Sequence, residues 1–415
     1  MGADPNRTVA RPELDASRLL ADLDHLATIG ADPAGGVSRV AYSAADIEAR
    51  GWVRETMLGL GMEVRRDEAV NLIGRQPGRE ARLKPLALGS HTDTVPNGGR
   101  FDGALGVVAA LACVRALRDA GLRLRHPVEV IDFAAEEATL GGGTVGSQAM
   151  TGRLPAGALL RPAWDGRPAV EHLRDAGIDP RGLGRAVRPR RCLAAYLELH
   201  IEQGGSLDGA GVPIGVVEGI VGIRRFGVTF AGQANHAGTT GMAERRDALV
   251  MAATFVLGVR ETAAAAGVVG TVGVLRVQPG ASNVIPGRVE LEAEIRGLDE
   301  DVLDRVEAEL GALAERQGGA LRRTSAKPPT RSDPALLAAV EAACDALGLE
   351  RRRMASGAGH DAMVIGEFIP QAMIFVPSRG GVSHSPDEFT PPERCVDGAR
   401  VLLGALLELD ERLDP

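Results

Sequence analysis

The sequence predicts an α/β protein in which a smaller α+β domain is inserted into the first domain. Three apolar runs, residues 83–88, 128–135 and 194–199, are typical of buried strands, and each is followed by polar residues. A later stretch alternates strand and helix patterns in the order β-α-β-β-α-β, which is typical of a ferredoxin-like domain. The 415 residues suffice for two cores, because a single core stops growing at roughly 250–300 residues.

The sequence of the amino-terminal half predicts helices before and after the first strands along the chain. A leucine stripe before Gly30 forms the apolar face of one helix, and Ser43 begins the next helix with a capping-box-like sequence. The apolar residues after Gly106 predict a buried helix that ends at Gly121. Residues 153–191 are rich in Arg and Pro, and we expect surface helices and loops there.

Glycine and proline clusters mark the domain boundaries. Four of the nine residues in 205–213 are Gly or Pro, and prolines return at 328, so we assign residues 1–212 and 328–415 to the first domain and 213–327 to the insertion. The predicted elements of the insertion are strands at 221–231, 268–276, 288–296 and 320–326 and helices at 247–265 and 299–317. The first domain then resumes with a helix at 334–347, a strand at 373–376 and a final helix.

Composition excludes several classes of partner. The formal net charge is −8 and there is no basic run, so nucleic acid and anionic membrane surfaces are not expected as partners. No stretch offers about 18 uninterrupted apolar residues for a membrane span. The four cysteines are far apart, which predicts free thiols, and no apolar leader is visible at the amino terminus. We therefore expect a cytoplasmic protein.

The polar residues after the first buried strand are candidate metal ligands. His91, Asp93 and Asp102 lie on loop-forming sequence within residues 89–106. In open α/β sheets, ligands bind beyond the carboxyl ends of the strands, where these residues are expected. For His91 and Asp93 alone, an ordinary polar turn is an equally good interpretation.

Further histidines and carboxylates follow the other strands. Five of the eight histidines lie in loops rich in Gly, Ser or carboxylates, namely His91, His200, His236, His360 and His384. A hydrolytic site with two metal ions needs a bridging carboxylate, terminal His or carboxylate ligands and a base for the water. Such a set is available in His91, Asp102, Glu137, His200 and His384, with Glu136 beside Glu137. Asp93 is well placed to accept a hydrogen bond from the His91 imidazole and so to orient it.

The chain resembles the dinuclear metal amidohydrolases of the peptidase M20 superfamily and, within it, the hydantoinase/carbamoylase branch. The resemblance rests on eight motifs in order along the chain: RVAYSAADIEARGWV, GSHTDTVPNGGRFDGALGV, EE followed by GS, ELHIEQG, NHAGTT, SNVIPG, SGAGHDA and SRGGVSHSPDE. It implies a phosphorylase/hydrolase-like catalytic domain with a mixed sheet, and an inserted ferredoxin-like lid domain through which two subunits form a homodimer.

The resemblance also implies a role for each candidate residue. Two divalent ions (Zn, Mn, Co or Ni) are expected, one bound by His91, Asp102 and His200 and the other by Asp102, Glu137 and His384. Glu136 is expected to act as the general base, and His236 to stabilise the oxyanion from the partner subunit. The expected substrate contacts are Asn283 and Arg296 for a carboxylate, with Gln203 and His360 as further contacts to the substrate or the water.

The implied activity is hydrolysis of the carbamoyl C–N bond of N-carbamoyl-L-amino acids or related small ureido acids. Allantoate amidohydrolases share all of these motifs, so allantoate is an alternative substrate, and an M20 aminopeptidase or dipeptidase is a further alternative. One departure concerns specificity, because Glu137 is followed by the glycine-rich sequence ATLGGGTVGS where the family usually carries an Arg-Phe segment. The shape of the substrate therefore stays open.

Overall fold

The structure is a computed structural model that describes residues 12–413 of the chain. It divides into two compact units. One unit comprises the described residues up to Glu218 and from Ser332 onwards, and the other is Gly219–Arg331. The chain leaves the first unit a few residues after the predicted crossing at 213, because the strand Ile214–Ile220 still pairs in the first sheet. It returns at Ser332, a few residues after the predicted return at 328.

Helices and strands alternate along most of the chain. The helices are α1 (Ala16–Thr28), α2 (Ala44–Gly59), α3 (Ala104–Asp119), α4 (Val145–Met150), α5 (Ala169–Asp175), α6 (Ser206–Ala210), α7 (Ala248–Ala266), α8 (Glu300–Arg316), α9 (Pro334–Leu347), α10 (Asp361–Ile365) and α11 (Pro392–Arg412). The strands are β1 (Glu63–Arg66), β2 (Leu72–Gln76), β3 (Leu86–His91), β4 (Val128–Phe133), β5 (Ala195–Ile201), β6 (Ile214–Ile220), β7 (Gly222–Ala231), β8 (Val269–Gln278), β9 (Arg288–Gly297), β10 (Gly319–Lys327), β11 (Thr330–Arg331), β12 (Arg351–Ser356) and β13 (Gln371–Val376).

The large sheet is mixed, with a parallel centre and antiparallel edges. Its described strands lie in the order β1-β2-β4-β3-β5-β13-β6-β11, and β12 pairs with β6. Strands β4, β3, β5 and β13 are mutually parallel, whereas β2 and β6 flank them in antiparallel pairing. These four parallel strands are buried along their whole length, as expected of strands covered on both faces. The predicted α/β class with a mixed sheet is confirmed.

The main core of the first unit lies between this sheet and five helices. The apolar helix α3 contacts β3, β4 and β5, and α1, α2, α9 and α11 contribute further buried side chains. Every residue of α3 from Ala104 to Leu117 is buried, which explains why its sequence is apolar on all sides. Local signals also place α2, because Ser43 caps it by accepting a hydrogen bond from the Asp46 N–H at 3.2 Å.

The second unit has the β-α-β-β-α-β order that the sequence predicts. Its four-stranded antiparallel sheet runs β10-β7-β9-β8, and the buried faces of α7 and α8 pack against it. Among the described residues, α7 is the one helix long and apolar enough to span a membrane by length and composition alone. It packs one face on the unit's own core through Ala252, Phe255 and Val259 and leaves Val250 and Leu257 exposed.

Several boundaries differ from the predictions. His91 and His200 are strand residues and not loop residues, since β3 and β5 each continue past their apolar run. The predicted boundary places β6 in the insertion, and glycines within β6 weaken its strand pattern. Strand β12 is not predicted at all, because three consecutive arginines hide its strand pattern. Both strands form only through pairing with neighbours that are remote in sequence.

Candidate metal centre

Four parallel strands bring the candidate ligands to one edge of the large sheet. His91 is the last residue of β3, and His200 is the last but one of β5. Glu136 and Glu137 follow β4 after a tight turn in which Ala135 has a φ of 53°. Because parallel strands end at a common edge, side chains as remote in sequence as His91 and His200 meet there.

Asp102 lies at the centre of the cluster and uses its two oxygens differently. Its Oδ1 lies 3.1 Å from His200 Nε2 and 3.6 Å from His91 Nε2. Its Oδ2 lies 3.3 Å from His384 Nε2, which is itself 3.5 Å from Glu137 Oε1. Asp102 therefore belongs to two groups of three ligand atoms, and within each group the atoms lie within 4.8 Å of one another. A third group, which does not contain Asp102, comprises Glu198, His200 and His360.

Backbone carbonyls orient two of the imidazoles. His91 Nδ1 lies 3.0 Å from the backbone oxygen of Asp93, and His200 Nδ1 lies 2.8 Å from that of Ile201. An Nδ1–H that donates to a carbonyl leaves the Nε2 lone pair directed at Asp102, which is the tautomer that a metal ligand needs. Gly103, at a φ of 63°, allows this approach, since a Cβ there would lie 2.4 Å from the His91 ring.

The Asp93 carboxylate contacts the turn after β4 more closely than it contacts the His91 imidazole. Its nearest oxygen is 3.7 Å from His91 Nδ1, so the predicted carboxylate–imidazole hydrogen bond is replaced by one to the Asp93 backbone carbonyl. The two carboxylate oxygens instead accept the backbone N–H groups of Glu136 and Glu137, each at 3.2 Å. Asp93 therefore holds the turn that carries both glutamates.

A buried arginine supports this turn from behind. Arg50 Nε donates to Asp46 at 3.0 Å, and its Nη1 donates to the Asp132 carboxylate at 3.1 Å. Its Nη2 donates to the backbone carbonyl of Phe133, the last residue of β4. A planar guanidinium with several fixed donors suits such a site, because it ties helix α2 to the strand that precedes the glutamates.

Burial governs the protonation of the glutamates. Burial raises the pKa of Glu136 well above its ordinary value, and the nearby Asp361 and Glu137 carboxylates raise it further. Burial also raises the pKa of Glu137, beside Asp102, to about 8. Carboxylates that are crowded and shielded from water are unfavourable without a nearby cation.

The pKa values of the histidines around Asp102 are shifted in opposite directions. Burial lowers the pKa of His91 to about 4. Burial acts in the same way on His200, but the Asp102 carboxylate outweighs it and raises that pKa to about 9. A hydrogen bond to Asp102 likewise raises the pKa of His384 to about 9. Burial alone would raise the pKa of Asp102, but the surrounding imidazoles hold it well below its ordinary value.

The donor set fits divalent metal ions. It combines neutral imidazole nitrogens with carboxylate oxygens, which suit Zn, Mn, Co and Ni. The cluster places more carboxylates than imidazoles in a buried site, and cations would balance that charge. Glu136 Oε2 lies 3.6 Å from His91 Nε2, so it adjoins one group of ligands without belonging to any of them.

Gln203 and His360 adjoin the centre in different ways. Gln203 donates from Nε2 to Asp102 Oδ2 at 2.7 Å, and its own Oε1 is buried without a partner among the described residues. The His360 ring lies edge-on to that of His200, 4.5 Å between centroids, and its Nε2 is 2.9 Å from Ser356 Oγ. Gln203 thus faces the ligand cluster, whereas His360 supports it from the side.

The glycine-rich loop after Glu137 folds back onto the turn. The Thr144 N–H donates to the Glu136 carbonyl at 2.6 Å. At Gly143 a Cβ would lie 2.5 Å from that same carbonyl oxygen, so a residue without a side chain is required. The departure from the family motif therefore builds the wall beside Glu136.

Four buried or partly buried residues of the centre were not predicted from the sequence. Glu388 accepts the backbone N–H groups of Phe101 and Asp102 at 2.9 and 3.1 Å. The other three are Ser383, Glu198 and Asp361, which bond to Asp102, to Ser90 and to Ser147. Each of the four lies inside a motif on which the resemblance rests, and those motifs were the signal available in the sequence.

Three predicted site residues belong to the second unit. His236 and Asn283 lie on adjacent extended segments, since His236 bridges Val284 and the Ala237 N–H donates to the Asn283 carbonyl at 2.9 Å. Both side chains are exposed. Arg296 lies on β9, where its Nε donates to Glu294 at 2.6 Å. Within this unit the predicted oxyanion residue and one predicted carboxylate contact are neighbours.

Comparison with known proteins identifies the family. Peptidase family M20/M25/M40 matches residues 87–408. The N-carbamoyl-L-amino acid amidohydrolase of Geobacillus stearothermophilus is 39% identical over 404 residues, covering 95% of this chain and 99% of that protein. The allantoate amidohydrolase of Bacillus subtilis (strain 168) is 34% identical over 399 residues, covering 93% and 96%.

Solved structures agree with the sequence relatives. The crystal structure of an amidase of the hydantoinase/carbamoylase family from Burkholderia multivorans is similar, with a TM-score of 0.86 and 37% identity. The match covers 95% of this chain and 98% of that one. The chain therefore belongs to peptidase family M20/M25/M40 and, within it, to the hydantoinase/carbamoylase amidases.

Proposed function

We propose that this protein is a metal-dependent amidohydrolase that cleaves the ureido C–N bond of N-carbamoyl-L-amino acids or related ureido acids. The observation that carries the proposal is the position of Asp102, whose two oxygens belong to two separate groups of metal-ligating side chains. Relatives with closely similar sequences are named for N-carbamoyl-L-amino acids and for allantoate, both of which are ureido acids.

Two divalent ions per subunit are the proposed cofactors. The first would be held by His91, Asp102 and His200, and the second by Asp102, Glu137 and His384. When bound, such ions lower the pKa of a water and polarise the carbonyl that it attacks. Zn, Mn, Co and Ni all accept these ligands.

Glu136 is the proposed general base. Its carboxylate adjoins the ligand cluster at 3.6 Å from His91 Nε2, and the turn that carries it is held by Asp93. As a carboxylate it takes a proton from the attacking water, and it then returns that proton to the leaving nitrogen. The balanced reaction converts R–NH–CO–NH2 and water into R–NH2, CO2 and NH3.

The second unit supplies the proposed substrate contacts. Arg296 and Asn283 would hold the substrate carboxylate, since an arginine fork can grip a carboxylate through two hydrogen bonds. His236 would stabilise the oxyanion, and we propose that it does so for the neighbouring subunit of a homodimer. Its exposed position on the surface of the unit supports such a role.

The two edges of the smaller sheet support a homodimer formed through the second unit. The edge strand β10 carries charged and polar side chains, which protect it against pairing, whereas the edge strand β8 has the apolar sequence VGTVGVLRVQ. Beside β8, helix α7 exposes Val250 and Leu257, 62% and 61% accessible. Pairing of two copies through β8 and α7 would cover both features.

We also infer a cytoplasmic location. The four cysteines are free thiols, and Cys113, Cys344 and Cys395 are buried. Free thiols of this kind are typical of proteins in a reducing compartment.

Ammonia release tests the proposed activity. The purified protein, loaded in turn with Mn2+, Co2+, Ni2+ or Zn2+, is assayed with N-carbamoyl-L-amino acids, allantoate and 3-ureidopropionate. We expect release from at least one ureido acid, and the ranking of kcat/KM assigns the substrate. Absence of release under every metal would contradict the proposal, and faster hydrolysis of dipeptides would assign the protein to the aminopeptidase alternative.

Subunit mixing tests whether His236 acts on the neighbouring site. His236→Ala and Glu136→Gln subunits are each expected to be inactive as homodimers. A mixed dimer would contain one site with an intact Glu136 and an intact partner His236, so mixing is expected to restore part of the activity. Lack of rescue despite demonstrated subunit exchange would indicate that His236 acts in the site of its own subunit or takes no part in the reaction.

A further inference from the structure

A second pocket lies at the opposite edge of the large sheet from the candidate metal centre. It has a volume of about 600 Å³. Its wall includes Lys84, His126, Ala194 and Pro370, which lie one or two residues before the parallel strands β3, β4, β5 and β13. Since six strand residues at roughly 3.3 Å each separate the two edges, the pocket is distinct from the metal centre.

The rim of this pocket is positively charged. Arg82 and Lys84 line it from one segment, and Arg191 lines it from a second segment that is remote in sequence. Within the described residues, Lys84 and Arg191 take part in no ion pair, and Arg82 reaches only Glu80, at 3.4 Å. Within residues 12–413, Glu367 is the one acidic residue that lines the pocket, and it pairs with Arg153 at 2.8 Å. In a chain of net charge −8, this local excess of cations favours an anionic ligand.

A buried histidine in the wall has a hydrogen-bond partner at only one of its two ring nitrogens. His126 is only 2% exposed, and its Nδ1 lies 2.7 Å from the backbone oxygen of Lys84. Its Nε2 is buried without a hydrogen-bond partner among the described residues. Because that nitrogen has essentially no accessible surface, the polar group of a ligand is expected at the rim of the pocket and not at His126.

The floor of the pocket is apolar. Leu83, Leu193 and Ile369 are buried there. Phe368 closes one side, and the guanidinium of Arg190 lies over its ring, 4.4 Å from the centroid. A bare inorganic anion would gain nothing from these apolar side chains, whereas a ligand with a hydrocarbon body would contact what remains accessible of them.

We propose that this pocket binds a small organic carboxylate, with its carboxylate at the Lys84–Arg191 rim and its apolar body on the floor. The carboxylate oxygens accept from the two cationic side chains, and the pocket has room for a body of several carbon atoms. This site is separate from the proposed hydrolytic function and does not depend on it.

Calorimetric titration with 4-methylpentanoate tests the proposal. We expect saturable binding to the wild-type protein, with a Kd of roughly 0.1–1 mM for a ligand of this size. In the Lys84→Met/Arg191→Asn double variant, binding is expected to weaken at least about tenfold. Asparagine suits position 191, because Arg191 has a φ of 57° and Asn tolerates the left-handed region.

Three controls distinguish binding in this pocket from binding elsewhere on the protein. Lys327→Met removes the other lysine of the chain and is expected to leave binding unchanged. The neutral analogue 4-methylpentan-1-ol is expected to bind at least about tenfold more weakly. A His384→Ala variant, altered at the candidate metal centre, is expected to retain the pocket's binding, and circular dichroism checks that each variant is folded.

Three outcomes would overturn the proposal. They are equal binding by the folded double variant, equal binding of the alcohol, and absence of saturable binding to the wild-type protein. Inorganic phosphate bound as tightly as 4-methylpentanoate would show that the apolar floor contributes nothing, and would likewise contradict the organic class of ligand.

Discussion

The candidate metal centre and the candidate substrate residues of the second unit are held in contrasting ways. At the metal centre, His91 and His200 are each 1% exposed, and each directs Nδ1 at a backbone carbonyl. In the second unit, His236 and Asn283 are exposed, and His236 Nδ1 accepts from the nearby Gly238 N–H at 3.0 Å. One set is fixed by burial, and the other is presented at a surface.

This contrast matches a division of labour between chemistry and recognition. Catalytic groups act best when their orientation is set before the substrate arrives, which burial and backbone contacts achieve. Residues that recognise a substrate must be reachable when it enters. If the division is correct, changes at the centre should abolish turnover, whereas changes at Arg296 or Asn283 should alter substrate affinity. His236, the proposed oxyanion residue, is the one member of the second set whose loss should lower turnover.

Replacing Asp102 should have the largest effect. Both proposed metal sites contain this residue, so Asp102→Ala is expected to reduce activity to background and to lower the bound metal below one ion per subunit. Activity assays together with elemental analysis measure both effects. Asp119→Asn, at an exposed carboxylate of α3, serves as the matched control and should behave like the wild type. Full metal content in Asp102→Ala would show that Asp102 is not a ligand shared by two metal ions.

Replacing the proposed base should lower turnover without loss of metal. Glu136→Gln keeps the size of the side chain but removes its capacity to accept the proton, so we expect kcat to fall by about 10²-fold or more. Metal content should stay at the wild-type level, because Glu136 belongs to no ligand group. Near-normal turnover would contradict the proposed role.

Disrupting the exposed face of α7 should separate the subunits. The double variant Val250→Asp/Leu257→Asp places charges on that face, and we expect a monomer in sedimentation experiments. If His236 acts across the dimer, activity should fall by up to about 10²-fold, as for loss of one oxyanion donor. Leu347→Asp, at an exposed leucine of α9 in the first unit, is the control and should stay dimeric.

Replacing Arg296 should affect affinity more than chemistry. Arg296→Met is expected to raise KM by about tenfold or more, since it removes charge-assisted hydrogen bonds to the substrate carboxylate, while kcat changes less. Arg323→Met on β10, which also removes an arginine paired with a glutamate, is the matched control, because it lies on the sheet edge away from the proposed dimer contact. An equal change in KM for both variants would show that Arg296 has no special role.

The smallest effect concerns the stability of the metal-free protein. The pKa of Glu137 is raised to about 8, and those of His200 and His384 to about 9. Between about pH 6.5 and 9 the folded state therefore binds more protons at these groups than the unfolded state does, so their contribution to stability falls as pH rises. We expect a Tm that declines across this range after chelation.

Restoring the metal should remove most of that decline, because a cation stabilises the carboxylates and binds imidazole in its neutral form. Thermal unfolding of metal-free and metal-loaded protein at pH 6.5, 7.5 and 9 compares the two. A Tm of the metal-free protein that rises with pH across this range would contradict the assigned direction.

Local sequence signals predicted much of the fold. The capped start of α2, the limits of α9 and the β-α-β-β-α-β order of the second unit follow from caps, proline and periodicity, which act over a few residues. The positions of strands β6 and β12 could not be predicted in this way, because their sequences lack a strong strand pattern and their pairing partners are remote in sequence.

The sequence by itself determined which residues are available for the chemistry: histidines and carboxylates placed at the ends of apolar runs, in an order shared with a known family. Only the tertiary structure decided how they are used. In the folded protein the two oxygens of Asp102 face different partners, and a backbone carbonyl orients the His91 imidazole. The Asp93 carboxylate accepts hydrogen bonds from the backbone N–H groups of the two glutamates. These contacts join segments that meet only when parallel strands end at a common edge, and no local pattern encodes that meeting.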